Sequence, residues 1–186
     1  LQCGIECVGL RGPEADAEVI EVAVRACERV GLTDFLVELA QVKIGTEVLE
    51  HVPPAARPAV VDTLAAKDTR TLEKLLKDAG VVAAERKRLV MLCDLYGDRG
   101  VIGEARRRLR NQAARRALDE LEKVVDRLES AGLGNRVAID LGDLRRHSYY
   151  TGVSMTLLAE GPGEPLGMGG RYDDLVKRFT GQTVPA

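Results

Sequence analysis

The most regular apolar pattern in the chain runs from Asn111 to Ala131, where Ala114, Leu118, Leu121, Val125 and Leu128 recur at helical spacing and Gly132 follows. That stripe predicts an amphipathic helix lying lengthwise on a sheet, with the glycine at its end. A second stripe, Ile20, Ala23, Cys27 and Val30, predicts a helix from Asp16 to Val30 that Gly31 stops. Alternation marks the strands. Residues 1–10 place Gln2, Gly4 and Glu6 on one face and Cys3, Ile5 and Cys7 on the other, which predicts a strand with one open polar face and one buried face. Asp34 to Gln41 predicts a second strand, Arg136 to Leu144 a third and Ser148 to Glu160 a fourth. Gly161-Pro162-Gly163 turns the last of these into a returning stretch from Pro165 to Gly170, a β-hairpin, before a short helix from Tyr172 to Phe179.

From about Lys43 to Leu109 the character changes. Short helical stretches are separated by Pro53-Pro54, Gly80, Gly97 and Gly100, with few β-branched runs, which predicts a helical insertion. The expected organisation is therefore residues 1–42 and 111–186 as two parts of one core, with 43–110 inserted between them. Strands and helices mix without a regular βαβ alternation, so the fold class expected is α+β, with an antiparallel sheet and flanking helices.

Composition adds limits rather than identity. In 186 residues, 45% hydrophobic and 30% charged, there is enough apolar material for a folded core. The net charge of −2 gives no global field for a nucleic-acid backbone, so nucleic acid is not the expected partner. No apolar run approaches the roughly 20 residues that span a bilayer, and no secretory pattern opens the chain, so no membrane is expected and the cytoplasm is. The chain starts at Leu1 inside a strand-like run, which suggests a piece of a longer protein. Cys3, Cys7, Cys27 and Cys93 are expected as buried free thiols, and with only His51 and His147 as imidazoles no zinc site is expected.

Three stretches carry candidate chemistry. Gln2 and Glu6 project together from the opening strand, where an amide and a carboxylate could hold an ammonium or an imidazole N–H, or simply form the polar side of an edge strand. Arg145 to Gly152 (RRHSYYTG) sets arginines beside two tyrosines. Alternation puts Tyr150 on one face with Gly152, Ser154 and Thr156, a pocket floor, and sends Tyr149 to the other to pack. The alternative is an aromatic cross-strand pair beside a surface arginine. Gly167 to Asp174 (GMGGRYDD) lets backbone approach a ligand with Tyr172 following, or is only a turn; it lacks the spacing of a phosphate loop. The arginines from Arg106 to Arg116 run into Asp119, Glu120, Glu122 and Asp126, as on a helix that solvates its own surface. No nucleophile–base pair is recognisable, and no catalytic residue or cofactor is expected.

Together and in this order, these stretches resemble the histidyl-tRNA synthetase family of class II. Gln2-Cys3-Gly4-Ile5-Glu6 resembles the end of motif 2, and Asp16 to Ile20 the helix after it. Arg145 with Tyr149-Tyr150-Thr151-Gly152 resembles the first histidine motif, and Gly169-Gly170-Arg171-Tyr172-Asp173 the second. The resemblance spans nearly the whole chain. It implies the class II antiparallel sheet, histidine as ligand, Gln2 near its α-amino group, Glu6 and Tyr150 toward the imidazole, Arg145 near a carboxylate or phosphate, and Tyr172 closing the pocket.

Two departures point to a branch. Arg146-His147-Ser148 stands where synthetases carry Gly, an apolar residue and Asp, and residues 37–45 (VELAQVKIG) lack their asparagine-containing signature. The 43–110 stretch, with Ala65-Ala66-Lys67-Asp68 and Leu92 to Gly97, resembles that of the synthetase paralogues that serve as regulatory subunits of ATP phosphoribosyltransferase. That branch implies a histidine-sensing, non-catalytic subunit of histidine biosynthesis, a homodimer within a hetero-oligomer whose other partner is the catalytic subunit. The rival implied by the resemblance is a synthetase core, although the ATP-gripping parts of motifs 2 and 3 fall outside this stretch.

Overall fold

The computed structural model describes residues 2–109, 111–144, 149–161 and 163–186. Helix α1 covers Pro13–Arg29 and leads to β1, Phe35–Gln41; helices α2 (Val42–Leu49), α3 (Arg57–Ala65), α4 (Thr69–Asp78) and α5 (Ala83–Leu92) follow. A two-residue strand β2 (Tyr96–Gly97) and α6 (Gly100–Arg108) precede the long α7, Gln112–Ser130. The chain then forms β3 (Val137–Asp140), β4 (Val153–Ala159), β5 (Gly167–Gly170) and α8 (Leu175–Thr180).

The five strands lie in the order β2-β3-β1-β4-β5. Pairing is antiparallel except between β1 and β3, where Val37, Glu38 and Leu39 run parallel to Val137, Ala138 and Ile139. The expected all-antiparallel sheet is thus mixed at one joint. The cause is topological: the connection from β1 to β3 runs through α2 to α7, and a long crossover is what a parallel pair requires.

Every second residue of the sheet, Val37 and Leu39 of β1, Ile139 of β3, Val153, Met155 and Leu157 of β4, joins the apolar core together with Ile20 and Val24 of α1 and the stripe of α7. Ala114, Leu118, Leu121, Val125 and Leu128 are all buried, as their spacing predicts. Helix α7 packs along α1, and its buried stripe shares one apolar core with the sheet. Asn111 caps it, its Oδ1 accepting from the Ala114 N–H at 2.6 Å. In α1 the buried set includes Ile20 and Val24, whereas Val30 sits at the C-cap and is 79% exposed, because the helix has already ended.

Helices α2 to α6 are each ten residues or fewer, too short to persist alone in water. They are held by a run of fully buried leucines, Leu64, Leu72, Leu76, Leu89, Leu92 and Leu95. Truncating any one to alanine costs about 2–5 kcal/mol on the usual scale of core cavities.

The opening segment departs from expectation. Residues 2–10 form no strand, and Cys3 and Ile5 of the face expected to be buried are exposed. Alternation becomes a strand only where backbone N–H and C=O groups find a ladder, and among the described residues the one backbone bond of the segment runs from the Gly9 N–H to the Pro185 carbonyl at 2.8 Å. Only Cys93 of the thiols is buried; burial pushes its pKa up, which makes it a weak nucleophile.

Candidate functional site

The two faces of the sheet differ in chemistry. Opposite the apolar face, cross-strand register sets Glu38 and Ala40 of β1 against Thr156 and Ser154 of β4, Met168 and Gly170 of β5 flank these, and Ala138 and Asp140 of β3 lie on the other side. This is the polar floor foreseen on β4, but it is not open: Ser154 is 1% and Thr156 5% exposed. Hydroxyls and a carboxylate in the middle of a sheet are costly unless they find partners, which makes this face the candidate for ligand chemistry.

Over one end of the floor stand three tyrosines. Tyr149 meets Tyr150 edge-on with ring centroids 5.0 Å apart and Tyr172 edge-on at 6.1 Å. Both of its neighbours are half-buried, as it is. The prediction that Tyr149 and Tyr150 turn to opposite faces fails because strand alternation begins only at Val153, and the tyrosines lie in the irregular approach to β4. Gly170 makes room for them: a Cβ there would lie 3.1 Å from Cδ2 and Cε2 of Tyr150 and 3.0 Å from the Ser154 Cβ.

Arg171, next to Gly170, pins this corner to the start of the chain. Its Nε donates to Asp16 Oδ1 at 2.9 Å, Nη1 to Asp173 Oδ1 at 3.0 Å, and Nη2 to the Gly12 carbonyl at 3.0 Å. The guanidinium is 9% exposed. Burial works against its charge, but the hydrogen bonds and fields of Asp16 and Asp173 outweigh it and hold the pKa above its ordinary value. For Asp16, burial dominates and pushes the carboxyl up, with Arg171 only partly offsetting it. Thr151 completes the corner, accepting from the Asp173 N–H at 3.0 Å. The Tyr172 N–H reaches the Ala186 carbonyl at 2.7 Å. Tyr149, Tyr150 and Tyr172 are thus set by a hydrogen-bonded frame rather than by packing alone.

At the other end of the floor Asp140, 5% exposed, accepts from Lys67 Nζ at 2.5 Å and from the Gly142 N–H at 2.8 Å. The Lys67 ammonium also stands 5.9 Å from the centroid of Tyr96. The α3–α4 turn therefore touches the sheet directly.

Of the residues singled out from the sequence, Tyr149, Tyr150 and Tyr172 come together. Gln2 and Glu6 are exposed and make no hydrogen bond or ion pair among the described residues. Arg145 lies outside the described residues. The basic run behaves as a solvated surface in part: Arg106 bonds Asp119 and Glu122 at 2.5 and 2.8 Å, and Arg108 pairs with Glu104 and Asp94. Sequence reasoning placed Ser154 on this floor but missed Glu38, Asp140 and Lys67, which register and the Lys67–Asp140 contact bring to the same face. For Glu38 a signal existed, a lone carboxylate inside the apolar run of β1.

The profile of the family described as histidyl-tRNA synthetase matches residues 1–186. A protein named ATP phosphoribosyltransferase regulatory subunit, from Syntrophotalea carbinolica, is 36% identical over 188 residues; the match covers all of this chain and 44% of that protein. Among solved structures, one described as an ATP phosphoribosyltransferase regulatory subunit/histidyl-tRNA synthetase from Bacillus halodurans superposes with a TM-score of 0.83 at 30% identity, covering 96% of this chain and 47% of the other. A chain of the ATP phosphoribosyl transferase (HisG:HisZ) complex from Thermotoga maritima shares the fold, with a TM-score of 0.71 at 16% identity, covering 96% of this chain and 61% of that one. The chain thus spans about half the length of the relatives it matches.

Proposed function

The chain belongs to the histidyl-tRNA synthetase family, and from that premise we propose that it serves as a histidine-sensing regulatory subunit of ATP phosphoribosyltransferase, not itself catalytic. The observation that carries this reading is the identity of 36% along the whole chain to a protein of that name. The polar sheet face under the three tyrosines is the place for histidine. A phenol and a carboxylate can address both imidazole nitrogens, which an apolar slot could not do. In this reading Tyr150 and Tyr172 bound the pocket with Tyr149 buttressing them. Gln2, Glu6 and Arg145 supply the contacts that the family resemblance implies for the ammonium, imidazole and carboxylate.

Residues 43–110 are the inserted layer, and the partner is the catalytic subunit of the transferase, met by a homodimer of the complete protein in the cytoplasm. Histidine, the end product, signals through this subunit.

The test is an assay of a short-form ATP phosphoribosyltransferase catalytic subunit with and without the complete protein, titrated with histidine. Activity that depends on the added protein and falls with histidine supports the proposal. A synthetase would instead exchange pyrophosphate into ATP when given histidine, and that exchange without any effect on the transferase would overturn it.

A further inference from the structure

Ser154 has no structural reason to be a serine. It is 1% exposed in the middle of β4, and its Oγ has no hydrogen-bond partner among the described residues. A buried hydroxyl without a partner is destabilising, and buried hydroxyls are seldom left without one. Alanine or valine would fill the same position in a strand without that cost. A serine retained there needs a partner that arrives from elsewhere.

Its surroundings identify the direction. On the same face Ser154 lies between Ala40 of β1 and Gly170 of β5, two of the smallest side chains available, so the space above it belongs to neither strand. What occupies the Gly170 side is the ring of Tyr150, in contact with the place where a Cβ would be. Gly170 is not among the glycines with positive φ, so the residue is used for room and not for backbone conformation. Tyr150 itself is half-buried and lies in the approach to β4, before the strand begins.

We propose that Ser154 is a specificity-determining contact of the ligand pocket: Tyr150 rests on the small-residue floor when the pocket is empty, swings off it when ligand enters, and the Ser154 hydroxyl then accepts a hydrogen bond from a ligand N–H. The neighbouring positions favour an N–H over an anion. Thr156 and Glu38 stand next along the same face as oxygen-bearing side chains, and the Lys67 ammonium at the β3 end of that face is engaged by Asp140. Histidine offers two such donors, its ammonium and its imidazole. The inference rests on the histidine-binding reading above and deepens it.

Calorimetry of the complete protein with L-histidine, alongside thermal melts of the unliganded protein, tests both levels. In Ser154→Ala, histidine affinity is expected to fall about 5- to 10-fold, the loss of one hydrogen bond. The melting temperature without ligand should hold or rise, because an unsatisfied hydroxyl has gone. Ser154→Thr, which keeps the hydroxyl, should retain more affinity than Ser154→Ala. Wild-type binding with affinity unchanged in Ser154→Ala overturns the role of Ser154 alone, as does a fall in unliganded melting temperature that accounts for the weaker binding. Absence of histidine binding by the wild type overturns the histidine reading and this inference with it.

Discussion

Lys67 Nζ and Asp140 Oδ1 lie 2.5 Å apart, joining the turn between α3 and α4 to the last residue of β3 across 73 positions of sequence. Lys67 is the one non-glycine among the described residues with positive φ, 55°, a conformation that needs support from its surroundings. The support is visible: the Asp140 carboxylate, the Tyr96 ring and the close passage of Gly142, where a Cβ would lie 2.6 Å from the Leu92 carbonyl oxygen. The short helices and the polar face of the sheet are thereby mechanically linked.

Removing Asp140 should cost more than removing its charge. Asp140→Ala strips partners from both Lys67 and the Gly142 N–H and is expected to lower the unfolding free energy by about 3 kcal/mol. Asp140→Asn, which still accepts from Gly142, should cost clearly less. Urea titration at neutral pH checks both; equal losses would show that the ion pair, not the backbone bond, carries the whole effect.

A pH signature follows from Asp16. Its carboxyl is pushed above the ordinary value of 3.8 by burial, so the folded state binds this proton more tightly than the unfolded chain. The resulting contribution to stability is fully present below the unfolded pKa and is lost as pH rises through the folded one. Asp16→Asn cannot titrate. The stability of the wild type relative to Asp16→Asn should therefore decline as pH rises through and above 3.8. Paired urea midpoints at acidic and near-neutral pH measure it, and a difference that is flat or grows with pH would contradict the sign.

How much of this could be read from the chain divides along physical lines. Helix α7, strands β1 and β4, and the β4–β5 hairpin were legible because a period of 3.6 or 2 persists over enough residues to bury one face. The same logic failed at residues 2–10, where alternation is present but, among the described residues, a partner strand is not. It failed again at Tyr149 and Tyr150, which lie just outside the stretch that alternates. The floor of the candidate site was legible on β4 through Ser154 and Thr156, but its continuation through Glu38 and Asp140 depends on register between distant strands. Nothing local announces that Lys67 and Asp140 meet. Arg171 stood within a recognised motif, yet its role as a pin on Asp16, Asp173 and the Gly12 carbonyl appears only when α1 and β5 are brought together.

The tightest packing near the site lies at Gly45 of α2. A Cβ built there would fall within the side chain of Leu144, which follows β3. Gly45 is buried and its φ is not positive, so glycine is required for space rather than for conformation. In an exposed helix Gly→Ala would stabilise by roughly 1 kcal/mol; here overpacking should reverse the sign, and Gly45→Ala is expected to destabilise by about 1–3 kcal/mol. Leu144→Ala alone opens a cavity and is also destabilising. Combined, the two changes should compensate, since the added methyl enters the volume that Leu144 leaves. A double-mutant cycle by urea denaturation is therefore expected to give a coupling energy of about 1 kcal/mol or more in the compensating direction. Additive losses would mean that Leu144 already moves freely out of the way.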